Sequence, residues 1–255
     1  MSSAPRSASS LQKSQSSRTP PEHYADSVFL NCPFDSDYIP IFDAVVFAIF
    51  SCGFIARSAL EITDSSEVRI DKICRIISNS KLAVHDLCRT ELDADSNLPR
   101  FNMPLELGIF LGAKKLGTKI QREKSCLMLD REAFRYQKFI SDIAGQDIRA
   151  HSGQPEQAVT QIGDWLASTT GRKTIPGGAA TWQRYQRFQA QLPAICENAE
   201  LLPIEMTFNV ALTLSKLGWS KWALRGPGIQ AAINPRLSLC SPPYSPGSRN
   251  ISIRS

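Results

Sequence analysis

Arg100-Phe101-Asn102-Met103-Pro104-Leu105-Glu106-Leu107-Gly108-Ile109-Phe110-Leu111-Gly112 reads as the start of a buried helix. Asn102 suits the N-cap, because its side-chain oxygen can accept an unpaired amide of the first turn. Pro104 fits that turn, where amides have no helical partner. Leu105, Leu107, Ile109, Phe110 and Leu111 make the helix apolar on nearly every side. Gly108 and Gly112 lie four apart on one face and would let another backbone come close. One acid, Glu106, interrupts this run. Its ordinary reading is an acid near a helix N-terminus, where the macrodipole favours negative charge. With Met103 as the cap it would occupy the capping-box position. Its other reading is chemical, because a lone carboxylate is expensive to bury without a partner.

The sequence on either side of this helix alternates between strand and helix signals. Ser27 to Asn31 is a short apolar run that stops at Cys32-Pro33, as a buried strand would. Asp35 and Ser36 can cap a helix from Tyr38 to about Cys52, which Gly53 ends. Phe54 to Ile62 is a second strand, followed by an amphipathic helix from Glu67 to Asn79 with Val68, Ile70, Ile73, Ile76 and Ile77 inward. Lys81 to Leu87 is a third strand, with His85-Asp86 at its end. A polar loop, Cys88 to Pro99, leads into the Glu106 helix. Lys124 to Asp130 is a fourth strand and Gln146 to His151 a short fifth. Pro155 to Ser168 is a helix with Val159, Ile162, Trp165 and Leu166 inward. Such alternation with short connections predicts a doubly wound α/β fold with a parallel sheet.

In such a sheet a ligand lies beyond the carboxyl ends of the strands. Those ends carry Asn31, Glu61, Asp86 and Asp130. There is no G-x-G-x-x-G and no G-x-x-x-x-G-K-[ST], which disfavours a dinucleotide-dehydrogenase site and a P-loop.

The chain has 255 residues, 42% of them hydrophobic, enough for one good core with appendages or two small domains. The formal charge of +5 belongs to the ends. Residues 1–25 carry +2 and residues 210–255 carry +6, which leaves −3 for residues 26–209. Nucleic-acid binding by the core is therefore not expected. The seven cysteines form no C-x-x-C pair and read as buried thiols of a reducing compartment, without a metal site. The Ser-rich start has no secretory h-region, and the longest apolar run, Ala44 to Phe50, is too short to span a bilayer. A cytoplasmic protein with no membrane contact is the expectation.

The domain reading follows composition. Residues 1–25 form a low-complexity disordered tail, 26–170 the α/β domain, 171–180 a Gly/Pro linker, 181–222 a helical extension and 223–255 a second disordered tail. The extension reads as a hairpin of helices over Trp182 to Asn198 and Pro203 to Trp219. From about Val210 onward there are six bases and no acid. That segment is either a basic extension for an acidic partner or the product of a shifted reading frame. On both readings residues 226–255 pack on nothing.

Three blocks together resemble a known group: Val28-Phe29-Leu30-Asn31-Cys32-Pro33-Phe34-Asp35, Lys81-Leu82-Ala83-Val84-His85-Asp86-Leu87 and Asn102-Met103-Pro104-Leu105-Glu106-Leu107-Gly108. The group is the TIR-like and nucleoside 2-deoxyribosyltransferase-like superfamily, and within it a bacterial family of TIR-like nucleotide-binding proteins. The resemblance covers about residues 26–170. It implies a flavodoxin-like sheet of about five parallel strands in the order 2-1-3-4-5. It also implies that Glu106 attacks or stabilises C1′ of a ribose in NAD or another nucleotide, with no separate cofactor. Bacterial antiphage signalling is the context it implies. The Glu-Leu-Gly block is closer to the deoxyribosyltransferase pattern than to the usual TIR pattern, which leaves the substrate open.

Around Glu106, the expected substrate-binding residues are Asn31, Pro33, Phe34, Asp35, Asp86 and Asn102. Asn102 lies one turn before Glu106 and suits a ribose hydroxyl. Phe34 and Tyr38 suit stacking on a base, or ordinary packing. Asp86 or Asp35 is the acid if the leaving group is a purine or pyrimidine, whereas nicotinamide departs neutral and needs none. A helix N-terminus is expected to keep Glu106 ionised. His85 is either a proton carrier or a satisfied structural histidine. Arg69 and Lys72 are either phosphate-holding cations or, as the default on an amphipathic helix, a solvated face. Three functions follow: an N-glycosidase or transferase, a non-catalytic nucleotide sensor, and a TIR-type homo-oligomerising module.

Overall fold

The structure is a computed structural model that describes residues 19–61, 66–92, 97–198, 200 and 208. Its centre is a five-stranded, all-parallel sheet of β1 (Ser27–Asn31), β2 (Ile55–Ser58), β3 (Leu82–Asp86), β4 (Ser125–Asp130) and β5 (Ile148–Ala150). The order is β2-β1-β3-β4-β5, the doubly wound, flavodoxin-like arrangement. β1 and β3 are buried at every position. Strands covered on both faces read as continuous apolar runs, which is why Val28-Phe29-Leu30 and Leu82-Ala83-Val84 carry no polar alternation.

Helices α1 (Ile39–Ser51), α5 (Pro155–Thr170) and α6 (Gly178–Asn198) cover one face, and α2 (Arg69–Ser78) and α3 (Asn102–Leu116) the other. A short α4 (Lys119–Arg122) precedes β4. The first core joins Val28, Leu30, Val84 and Leu129 to α1 and α5. α6 belongs to the same core: Tyr185 and Phe188 each approach Phe47 to 5.3 Å. The second core joins Phe29 and Ala83 to Ile73, Ile76 and Phe110.

α1 ends as its glycine requires. Gly53 has φ +81°, its amide returns to Phe50 O, and the Phe54 amide returns to Ile49 O. This pair of bonds closes the last carbonyls of the helix. At the other end Tyr38 holds the cap position with no side-chain cap, and the expected cap Asp35 instead accepts the Tyr38 amide through Oδ1 at 3.2 Å in the turn before the helix.

Several boundaries differ from the sequence reading. The second strand stops at Ser58, and Ala59–Glu61 turns as a 3-10 helix. Val68 and Ile70 are exposed, so α2 buries only Ile73, Ile76 and Ile77 of the five expected positions. Lys72 is buried and does not lie on a solvated face. The fold also reaches back before residue 26: Tyr24 is buried and its hydroxyl donates to Ile120 O. The remainder of the N-terminal tail, the second helix of the expected hairpin apart from Phe208, and residues 209–255 lie outside the described residues. Among the described residues, no helix is long and apolar enough to cross a membrane.

Candidate functional site

α3 starts at Asn102, with Phe101 at the cap position and no side-chain cap. Asn102 is therefore the first helical residue and not the N-cap the sequence suggested. Its side chain is exposed, whereas Met103 and Glu106 turn inward to the sheet. Beside this helix start lies a cleft of about 200 Å³ lined by Pro33, Phe34, Asp35, Arg89, Arg100, Asn102 and Met103. Four of the expected site residues, Pro33, Phe34, Asp35 and Asn102, share this cleft. It sits just beyond β1 and β3, where a doubly wound sheet offers a crevice.

Asn31 ties the strand to the helix. Its Nδ2 donates to Met103 O at 2.8 Å and lies 3.0 Å from His85 Nδ1. His85 is paired with Asn31 in the sheet register, so both side chains turn to the α3 face. There the His85 ring meets Phe29 and Phe110 edge-on. Burial depresses its pKa to about 3. The ring stays neutral across the physiological range, is sealed from solvent and is packed between Phe29 and Phe110, so His85 takes the structural reading. Asn31 Oδ1 and His85 Nε2 are buried without a hydrogen-bond partner.

Glu106 lies one turn in from Asn102, about 6 Å along the axis. It is 4% exposed, and burial pushes its pKa up to about 7, with the charge of Arg69 pulling it partly back. The helix N-terminus does not keep this carboxylate fully ionised as expected, because desolvation outweighs the dipole. At neutral pH it is poised between its two forms.

Asp86 departs furthest from expectation. It is fully buried and faces away from the cleft. Successive strand residues point to opposite faces, so His85 turns to α3 while Asp86 turns to α1. There Asp86 Oδ2 accepts the Tyr38 hydroxyl at 2.5 Å and Oδ1 accepts the Cys88 amide at 2.9 Å. His151 Nε2 stands 3.0 Å from Oδ2, but out of hydrogen-bond alignment. Burial is the largest single effect on Asp86 and would raise its pKa. His151, Tyr38 and Cys88 together outweigh burial and hold the carboxyl below its ordinary value. Such a group is neither a substrate ligand nor a proton donor. The same bond shows that Tyr38 is a packing and hydrogen-bonding residue and stacks on no base.

Asp35 is also unavailable as an acid. Arg89 forks it, with Nε at 3.0 Å from Oδ2 and Nη2 at 2.7 Å from Oδ1. That fork lowers its pKa in spite of the opposing burial. Phe34 lines the cleft but also packs edge-on to Phe42 at 5.4 Å. At the other strand ends Glu61 is forked by Arg57, and Asp130 Oδ1 accepts both the Nε and Nη2 donors of Arg135 while its buried Oδ2 has no hydrogen-bond partner among the described residues.

Asp86, Cys88 and His151 bring three metal-capable atoms within 4.8 Å of one another. The donor set does not fit a metal. The Gly153 amide donates to His151 Nδ1 at 3.0 Å, so the ring proton belongs on Nε2, the atom that would have to bind the ion. Burial and the Asp86 charge raise the Cys88 thiol, which keeps it protonated.

Sequence reasoning missed Arg89, Arg100 and His151. The first two lie in the loop between β3 and α3, at the sheet edge where ligands bind, and that position was the available signal. Compared with family models, with curated proteins and with solved structures, the chain matches none.

Proposed function

We propose that the chain hydrolyses or transfers the N-glycosidic bond of NAD or another nucleotide, with Glu106 as the nucleophile, as the TIR-like and deoxyribosyltransferase-like resemblance implies. The observation that supports this is one buried carboxylate, poised near neutrality, a helical turn behind an open cleft at the carboxyl edge of the sheet. In the ionised form Glu106 attacks C1′ as the bond to the base breaks, and the electron pair leaves with the base nitrogen. The logic is that of a retaining glycosidase. Asn102 lines the cleft, which supports a role for it in meeting a ribose hydroxyl. With Asp35 and Asp86 both committed elsewhere, a leaving group that departs neutral, such as nicotinamide, fits better than one that must be protonated.

The same commitment of both acids favours a second reading, a nucleotide sensor that binds in the cleft without cleavage. Incubation with NAD and with nucleoside monophosphates, followed by chromatography for free base, separates the two. The enzyme reading expects release by the parent and a loss of at least about a thousandfold in Glu106→Gln, which keeps shape and removes charge. Turnover by Glu106→Gln equal to the parent would refute Glu106 as the nucleophile. No release from any nucleotide, together with a melting temperature that rises with one of them, assigns the sensor role.

A further inference from the structure

Glu106 does not line the cleft that its proposed chemistry needs. Between the two lies the first turn of α3. Of the residues that line the cleft, Pro33 and Met103 are buried and form its floor, while Phe34, Asp35, Arg89, Arg100 and Asn102 reach solvent. Glu106 follows Met103 by three residues, so the two are neighbours on the inward face of the helix. Side chains of a helix lean toward its N-terminus, which carries the Glu106 carboxylate back over the first turn, toward Met103 and the cleft. The carboxylate is buried all the same. Met103 therefore stands between the solvent of the cleft and the acid.

We propose that Met103 is a gate: its side chain closes the floor of the cleft over Glu106 and swings aside when the ribose of the substrate enters. This rests on the reading of Glu106 as the nucleophile given above. Pro33, the other floor residue, has its ring locked to the backbone and cannot swing. Methionine is unbranched, turns about three bonds and repacks readily. The backbone beneath it is held, because Asn31 Nδ2 donates to Met103 O at 2.8 Å. Movement is thus confined to the side chain, and the start of α3 keeps its place. Met103 packs in a core cluster with Leu87, Leu107, Met128 and Tyr136. Met128 gives that cluster a second adaptable side chain, able to take up the space that Met103 leaves. Closed, the gate keeps water from the carboxylate. Open, it lets the ribose carbon reach the acid. Met103 makes and breaks no bond, so it is a positioning residue.

The test uses the full chain and follows the modification of Glu106 by a water-soluble carbodiimide with glycine ethyl ester, read by peptide mass spectrometry. The Asp37 carboxylate, 85% exposed, is the internal standard. In the parent, Glu106 should react about a hundredfold more slowly than Asp37. Met103→Ala removes the gate and should speed the labelling of Glu106 about tenfold or more, with Asp37 unchanged. Met103→Leu keeps the volume but is branched and stiffer, so Glu106 should stay as protected as in the parent. In that variant kcat for base release should fall about tenfold while KM stays the same, a split that a merely structural role would not produce. A cooperative thermal transition shows that each variant is folded. If Met103→Ala lacks one, Met103→Val makes the same measurement with a smaller cavity. Labelling of Glu106 in the parent as fast as that of Asp37, or labelling in the folded truncated variant equal to the parent, overturns the gate. The two proposals fail separately. Labelling that follows Met103 in a chain that releases no base leaves Met103 as the closure over Glu106 and removes the nucleophile. Base release that Glu106→Gln abolishes, with labelling indifferent to Met103, keeps the nucleophile and removes the gate.

Discussion

His85 and Asp86 are neighbours in the chain, yet they belong to two differently built halves of the sheet edge. On the α1 side, Asp86 is fully buried, and the Tyr38 hydroxyl and the Cys88 amide donate to it. On the α3 side, Asn31 Oδ1 and His85 Nε2 are buried without partners, and Glu106 is raised toward neutrality by burial. The two halves meet at Cys32, whose buried thiol is pushed up first by desolvation and then by the charges of Asp86 and Glu106. Buried polar groups are normally paired, because each unpaired one costs free energy. The α3 half leaves two such atoms unpaired on buried residues that do not themselves line the cleft, with Asn31 tied to its wall through Met103 O. His151 Nε2 interrupts the pairing on the α1 side, but the half built on the satisfied Asp86 is scaffold, and the half that holds Glu106 is the candidate site.

The sharpest way to break this contrast is to remove the centre of the paired half. Asp86→Ala should destabilise the fold by about 3 kcal/mol, because it strands a buried hydroxyl and amide. Urea unfolding measures this, and a loss under about 1 kcal/mol would show that the network is not scaffold.

The mirror experiment should have the opposite sign. The folded pKa of Glu106, about 7, lies above its ordinary value of 4.5. The stability this carboxyl contributes is therefore full below pH 4.5 and is lost as pH rises through 7. Glu106→Gln should be more stable than the parent by about 2 kcal/mol at pH 8, with no gain at pH 4. In the parent, base release should rise with pH through about 7, since only the ionised carboxylate attacks. A stability difference independent of pH would show that Glu106 is not held near neutrality.

Tyr38→Phe removes one bond to Asp86 and keeps the ring, so a loss of about 1 kcal/mol is expected by the same unfolding assay. The smallest effect belongs to the rim of the cleft. Asp35 has its pKa depressed, chiefly by the Arg89 hydrogen bonds. Its contribution is present above the unfolded carboxylate value and fades as pH falls through the folded one. Asp35→Asn should cost about 0.5 kcal/mol at pH 7, an amount that vanishes in acid. A cost as large as that of Asp86→Ala would mean that the rim is as structural as the paired half.

Much of the fold could be read from local pattern. The limits of β1 and the start of α5 were legible because Cys32-Pro33 and Pro155 act on the backbone wherever they stand. Strand–helix alternation identified a parallel sheet, and the apolar runs of β1 and β3 placed them in its interior. Glu106 stood out as one acid in an apolar helix, and it is buried along with Leu107 and Phe110, whereas its neighbour Leu105 faces solvent. Pro33, Phe34, Asp35 and Asn102 were legible as a group because they follow β1 or begin α3 at the sheet edge.

Only the tertiary structure decided which side of the sheet each polar group joins and what it meets there. Asp86 was read as a site acid because it ends a strand, but one residue of register sends it to Tyr38 and His151, 48 and 65 positions away in the chain. The ionisation of Glu106 was likewise set by packing, because desolvation depends on what covers a group and no local pattern records that. Arg89 and Arg100 became cleft residues through the folding of the loop between β3 and α3 against Asp35, a contact 54 positions long for Arg89. Periodicity and turn chemistry act within a few residues and are written in the sequence, whereas charge pairing, burial and cleft shape arise between segments that only the assembled sheet brings together.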